Sequence, residues 1–153
     1  LGRAWGMPMT TIKQILEKKG HVVATIAPNE TVYRALQKMA EHDIGALLVV
    51  DGTRPIGILS ERDYARKVIL SGRSSLDTPV RDVMVKDLVT TTPDHLVDDC
   101  LGLMTDRRIR HLPVLDADGR LVGLVSIGDL VKSVIDEQRS TINQLVDYVS
   151  GAA

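Results

Sequence analysis

The sequence predicts an α+β fold made of two pseudo-symmetric β-α-β-β-α units, and three observations carry that expectation. A shift of 65 residues places Thr25, Pro28, Val32, Leu36, Met39, Ile44, Leu47, Val49 and Asp51 on Thr90, Pro93, Val97, Leu101, Met104, Ile109, Leu112, Val114 and Asp116. After one inserted turn residue, a shift of 66 places Gly57, Ser60 and Asp63 on Gly123, Ser126 and Asp129. Apolar runs of strand length and stripes of helical period follow in the same order in both copies. Two copies are too few to stack as a solenoid, so the halves are expected to pack on each other through their small sheets.

The elements follow in chain order. Residues 1–9 hold two Gly and a Pro without any period and read as a weakly structured extension; the units are expected at 10–72 and 73–137, with a C-terminal helix and tail at 138–153. Residues 11–16 suggest a short helical turn, and 80–84 repeat its pattern as the lead-in to the second unit. Residues 22–25 favour a strand, Pro28-Asn29-Glu30 a turn, and Val32, Ala35, Leu36 and Met39 the apolar stripe of a helix. Residues 88–90, then Val97, Cys100, Leu101 and Met104, do likewise. Cys100 takes the place of Ala35, which marks it as a small core residue rather than a nucleophile.

Each helix is followed by a hairpin. Strands at 46–50 and 56–59 flank Asp51-Gly52-Thr53-Arg54, and strands at 112–115 and 121–125 flank Asp116-Ala117-Asp118-Gly119. The second turn opens like a calcium loop but lacks the later carboxylates and the closing Glu, so it reads as a turn. A second helix begins at Ser60 and at Ser126. Ser71-Gly72-Arg73-Ser74-Ser75 is too short to hold two independent domains apart. Ser140 is expected to cap a final helix whose face of Ile142, Leu145, Val146 and Val149 covers the protein's own core or a second subunit.

Composition excludes several functions. The 153 residues are 44% hydrophobic and 25% charged, with a net charge of −1, so no global field draws in nucleic acid or an anionic membrane. Aromatic residues are 3% with no Phe, which leaves no stacking platform for single strands. Cys100 is the single cysteine, and no Cys/His cluster has metal-ligand spacing. No metal is expected; His21, His42 and His95 lie in polar turns or helix ends. Without a long apolar run or a signal-type N-terminus, the chain reads as cytoplasmic.

The repeated Ser-x-x-Asp, in Ser60-Glu61-Arg62-Asp63 and Ser126-Ile127-Gly128-Asp129, has two readings. Ser followed three residues later by an acid is a helix capping box. A helix N-terminus also favours an anion, and an Asp there accepts hydrogen bonds from paired hydroxyls such as those of a ribose.

With Thr-x-x-Pro before a helix, Ile-Arg-His-Leu-Pro-Val-Leu-Asp at 109–116, and Gly-x-x-Ser-x-x-Asp entering the next helix, the chain resembles a tandem pair of CBS domains, the cystathionine beta-synthase type of regulatory module, over about residues 10–137. Pro113 departs from the first copy, where Leu48 stands, and Arg110-His111 replaces Gly45-Ala46.

The resemblance implies two clefts between the repeats that bind adenosine nucleotides, with the motif Asp on the ribose hydroxyls. Carried over, Ser126, Ile127, Gly128 and Asp129 would serve one cleft, completed by Ala27, Val32, Ile44, Gly45 and Ala46 around the adenine. Ser60, Glu61, Arg62 and Asp63 would serve the other, completed by Arg81, Leu88 and Thr90. Phosphates are expected where Arg62, Arg110 and His111 converge, with the Asp63 cleft the more charged. Taken by themselves, Arg62 on a first helical turn reads as a solvated residue, Arg110 beside His111 equally as a plain edge-strand pair, and His111 equally as a neutral residue under the hairpin.

The expected function is a non-catalytic regulatory module that binds AMP, ADP or ATP, or the dinucleotide NAD, works as a homodimer and controls a protein partner in trans. An interaction scaffold with vestigial clefts is the alternative. A nucleotide-processing enzyme is disfavoured because the chain has no GxxxxGK[ST] loop, nucleophile elbow or acid pair beside a His.

Overall fold

The structure, a computed structural model, describes residues 9–151. Residues 1–8 of the expected extension and the last two residues of the tail lie outside the described residues. The order is α1 (Ile12–Lys19), β1 (Thr25–Ile26), α2 (Val32–His42), β2 (Ala46–Asp51), β3 (Arg54–Ser60), α3 (Glu61–Tyr64), α4 (Val97–Arg107), β4 (His111–Leu115), β5 (Leu121–Ser126) and α5 (Ile127–Ser150). A π-helical segment, Ala65–Ile69, continues α3, and a 3₁₀ turn, Val80–Asp82, leads into the second unit.

The duplication extends to backbone detail. In the first unit β1 runs parallel to β2, which pairs antiparallel with β3, and the register slips between Val49 and Val50. The β4–β5 hairpin slips at the equivalent place, between Val114 and Leu115. Helices α2 and α4 end on left-handed residues at equivalent positions, Asp43 (φ 52°) and Arg108 (φ 54°). Beyond each, the amides of Ile44 and Ile109 donate back to the carbonyls of Met39 and Met104, both at 3.0 Å. Such closure satisfies helix-end carbonyls that otherwise lack partners.

Four expectations change. The first strand is Thr25–Ile26 rather than 22–25, because only those two residues face Leu48 and Val49; Val22 is 97% exposed. Residues 88–90 form no strand. There the chain touches β4 through a single bridge, Thr91 to Val114, because Pro113 has no N–H where Leu48 donates to the carbonyl of Ala24 at 3.3 Å. Ser140 caps nothing: α5 runs unbroken for 24 residues, and the Thr141 hydroxyl donates to the Glu137 carbonyl as in a helix interior. The lead-in 11–16 is longer than a turn, extending to Lys19, with Thr11 and Gln14 forming a capping box.

The cores show how the halves are joined. Ile12, Ile15 and Leu16 of α1 pack with Val97, Cys100, Met104, Leu112, Val114, Val125 and Leu130 of the second unit. Val80 and Val83, which precede the second unit, pack with Ile26, Val32, Ala35, Leu47 and Leu59 of the first. Each lead-in thus closes the other unit's core. Backbone bonds hold both crossings: the Ile12 amide donates to His95 O at 2.9 Å, and the Val80 amide to Glu30 O at 2.8 Å. Gly57 and Gly123 permit the close approach, since a Cβ at Gly123 would lie 2.6 Å from Leu16 Cδ2 and one at Gly57 would lie 2.5 Å from Met84 Sδ.

In the Asp116 turn, Oδ1 accepts the amides of Asp118 and Arg120, both at 2.9 Å, so this carboxylate organises the turn.

Candidate functional site

Each Ser-x-x-Asp sits where a hairpin strand turns directly into a helix, which brings the motif to the end of the sheet. Ser60 and Ser126 keep extended backbone (φ −115° and −102°) and cap α3 and α5. The Ser126 amide donates to Asp129 Oδ2 at 2.8 Å and the Asp129 amide to Ser126 Oγ at 3.1 Å. In the first copy the Ser60 amide and hydroxyl donate to Asp63 Oδ2 at 3.0 and 2.9 Å, and the Asp63 amide to Ser60 Oγ at 3.2 Å. Both motifs are therefore capping boxes, the simpler of the two readings, and each places a carboxylate at a helix start, where the dipole favours negative charge.

The surroundings of the two carboxylates differ. Lys67, one helical turn along, lies 3.5 Å from Asp63 Oδ1. Asp129 meets a residue distant in sequence: Lys19 Nζ donates to its Oδ2 at 2.6 Å and to the Leu124 carbonyl at 2.7 Å. Partial burial pushes the Asp129 carboxyl upward, but hydrogen bonds from Lys19 and Ser126 and the Lys19 charge outweigh it, leaving the pKa below the ordinary 3.8. His111 pairs with Ser126 across the hairpin. Burial holds its pKa below 6.5, Lys19 and Arg110 lower it further, and Asp129 opposes them. His111 is thus neutral at physiological pH.

Asp129 opens into a cleft of about 500 Å³ between α1 and α5, walled by Thr10, Gln14, Ile15, Lys18, Lys19, Lys132, Ser133, Asp136, Glu137 and Ser140. Thr10 and Glu137 bridge its two sides by a hydrogen bond. The cleft carries carboxylates, hydroxyls and ammonium groups.

The residues expected around Asp129 from the first unit do not line this cleft. Val32 is wholly buried in the first core. Ala27 borders a separate concavity of about 330 Å³ with Thr25, Glu30, Arg34 and Lys38. Ile44 and Gly45 are exposed and Ala46 is buried, and Gly45 and Ala46 neighbour Ser60 and Glu61 of their own unit. Ala46 pairs with Ser60, the Glu61 amide donates to Gly45 O at 3.0 Å, and a Cβ on Gly45 would meet Glu61 Oε1 at 3.1 Å. By the same geometry the Ile127 amide donates to Arg110 O at 2.9 Å. Gly128 is exposed on the first turn of α5. Arg62, Arg110, Arg81 and Thr90 are exposed, and Leu88 is half-buried.

Lys19 and Lys67 were not among the expected site residues. The Asp-x-x-x-Lys spacing of Asp63 and Lys67 is legible as a helical pair, whereas nothing local marks Lys19, 110 residues from Asp129.

A model of the CBS domain family matches residues 9–69 and 80–136. The chain is 41% identical over 155 residues to CBS domain-containing protein CBSX3, mitochondrial, of Arabidopsis thaliana, spanning 95% of this chain and 75% of the relative. It is 52% identical to a solved protein with CBS domains from Burkholderia ambifaria, with a TM-score of 0.80 over 84% of this chain and 96% of that one. The CBS domain pair of protein MJ0100, solved with 5′-methylthioadenosine and S-adenosyl-L-methionine, is 25% identical, with a TM-score of 0.72 over 82% of this chain and 95% of the other.

Proposed function

The chain belongs to the CBS-domain family and carries two repeats, the arrangement of regulatory CBS pairs, and from that premise we propose that it is a non-catalytic module that binds an adenosyl ligand at Asp129 and signals to a protein partner in trans. The observation that carries this reading is the Asp129 carboxylate, kept ionised at a helix start beside a polar cleft. It suits a ribose diol, because a carboxylate accepts from both hydroxyls at once. The adenosine ligands of the MJ0100 pair support the ligand class. AMP, ADP, ATP and NAD are the candidates, with the exposed Arg62 and Arg110 as the groups for phosphates. A scaffold with unused clefts is the second reading, favoured by one observation, that Lys19 already satisfies Asp129.

Calorimetry with AMP, ADP, ATP, NAD and adenosine on wild type and Asp129→Ala tests the proposal. Loss of two hydrogen bonds to a charged acceptor weakens binding by about 2–4 kcal/mol, roughly 30- to 1,000-fold. A purely capping Asp129 costs about 1 kcal/mol of stability and leaves affinity alone. Absence of binding by every ligand would refute the reading in favour of the scaffold.

The module works as a homodimer in the cytoplasm. What supports the dimer is the far half of α5, where Ile142, Leu145, Val146 and Val149 are 58–83% exposed on a helix with no core beneath it. Sedimentation of wild type and Leu145→Glu at the same concentration checks this, with the variant lighter.

A further inference from the structure

The two units close the same strand edge with different chemistry. On β3, Ile58 exchanges backbone hydrogen bonds with Val85, N to O at 3.0 and 2.9 Å. Its counterpart on β5, Leu124, receives a side chain instead, the Lys19 ammonium at 2.7 Å. The same Nζ stands 2.6 Å from Asp129 Oδ2. Two residues on, His21 Nδ1 lies 2.9 Å from the Val122 carbonyl. The exit of α1 is thus held on β5 by side chains.

That exit is less buried than the rest of α1. Ile12 and Leu16 are wholly buried and anchor the helix. Lys19 is 39% exposed, and Gly20 has φ +100° with open space around it. Residues 20–24 then lead to β1 in the other unit.

A ribose diol and the Lys19 ammonium are donors for one carboxylate. We propose that Lys19 is a displaceable internal occupant of the Asp129 site: a bound ribose expels its ammonium, releases the last turn of α1 from β5, and so passes occupancy of the second unit to β1 of the first through residues 20–24. The proposal rests on the reading of Asp129 as the ribose acceptor and adds the device by which binding is felt elsewhere. The first unit has no counterpart, since a backbone pair closes its edge and Asp63 takes its lysine from its own helix.

The test is titration calorimetry with adenosine, which has the diol but no phosphate for a lysine to hold, on wild type, Lys19→Gln, Lys19→Arg and Lys13→Gln. Removing a half-exposed ion pair that competes with the ligand raises affinity by roughly two- to fivefold in Lys19→Gln. Lys19→Arg, which keeps the charge, and Lys13→Gln, which removes one from an exposed position of α1 outside the cleft, stay within about twofold of wild type. Binding to Lys19→Gln alone would be the same result in stronger form. Hydrogen exchange at residues 17–22 is expected to quicken in wild type on adding adenosine.

Equal or weaker binding by Lys19→Gln, an equal gain in Lys13→Gln, or slower exchange at 17–22 overturns the displacement mechanism and leaves adenosine binding standing. Absence of adenosine binding in all four proteins overturns the ligand reading itself, and the mechanism with it.

Discussion

Placing a methyl group at Gly123 tests the crossing of α1 into the second unit. A Cβ there would lie 2.6 and 2.8 Å from the two methyls of Leu16, a residue with no exposed surface. Carbon atoms settle at roughly 3.5–4.0 Å, so α1 or β5 must yield by about 1 Å in a packed core. Overpacking of this kind costs about 1–3 kcal/mol for Gly123→Ala. Leu16→Ala, which opens a cavity, costs about 2–5 kcal/mol. If the sites were independent the double variant would lose about 3–8 kcal/mol. In this structure the new methyl enters the space left by the leucine, so the double variant should lose no more than Leu16→Ala alone, a favourable coupling of about 1–3 kcal/mol. Urea unfolding of the four proteins at one concentration measures it. Additivity within about 0.5 kcal/mol would refute the packing of α1 on β5.

Two other outcomes follow from the buried titratable groups. His111 is held neutral, its pKa below 6.5, so its contribution is complete above that pH and is lost as pH falls towards the folded value, because the unfolded chain then binds the proton more readily. Melting temperatures between about pH 7 and pH 5 should therefore fall more steeply in wild type than in His111→Gln; parallel curves would place His111 in solvent. Burial raises the Cys100 thiol above 9.0, against a weaker opposing hydrogen bond from Thr91. Alkylation by iodoacetamide at neutral pH should proceed only at the rate at which the second core opens, and labelling as fast as in urea would contradict that burial.

Much of the fold was legible because its signals are local. Hairpins, helix stripes and capping boxes depend on residues within a few positions of one another, and the 65- and 66-residue shifts align them into two copies. Pro113 was visible as a departure from Leu48, and its effect follows from the missing N–H once β4 is seen to need a parallel neighbour. The helix break at Ser140 failed for the complementary reason. A capping serine marks a start only where the preceding turn ends, and from Leu130 to Ser150 no Gly or Pro interrupts α5. The Asp129 cleft was legible in its carboxylate and not in its walls, which α1 and α5 supply.

The sequence by itself determined the duplication, the α+β class, the strand and helix order of each unit apart from 88–90, and the placing of two carboxylates at helix starts, all properties of spacing along the chain. Only the tertiary structure decided that each lead-in serves the opposite core and that Lys19, 110 residues away, sits on Asp129. An ammonium on a flexible stem pairs with whichever carboxylate the packing brings near, and no periodicity along the chain records that choice. The same packing makes the surroundings of the two carboxylates unlike, because a backbone pair closes the edge of β3 where a side chain closes the edge of β5.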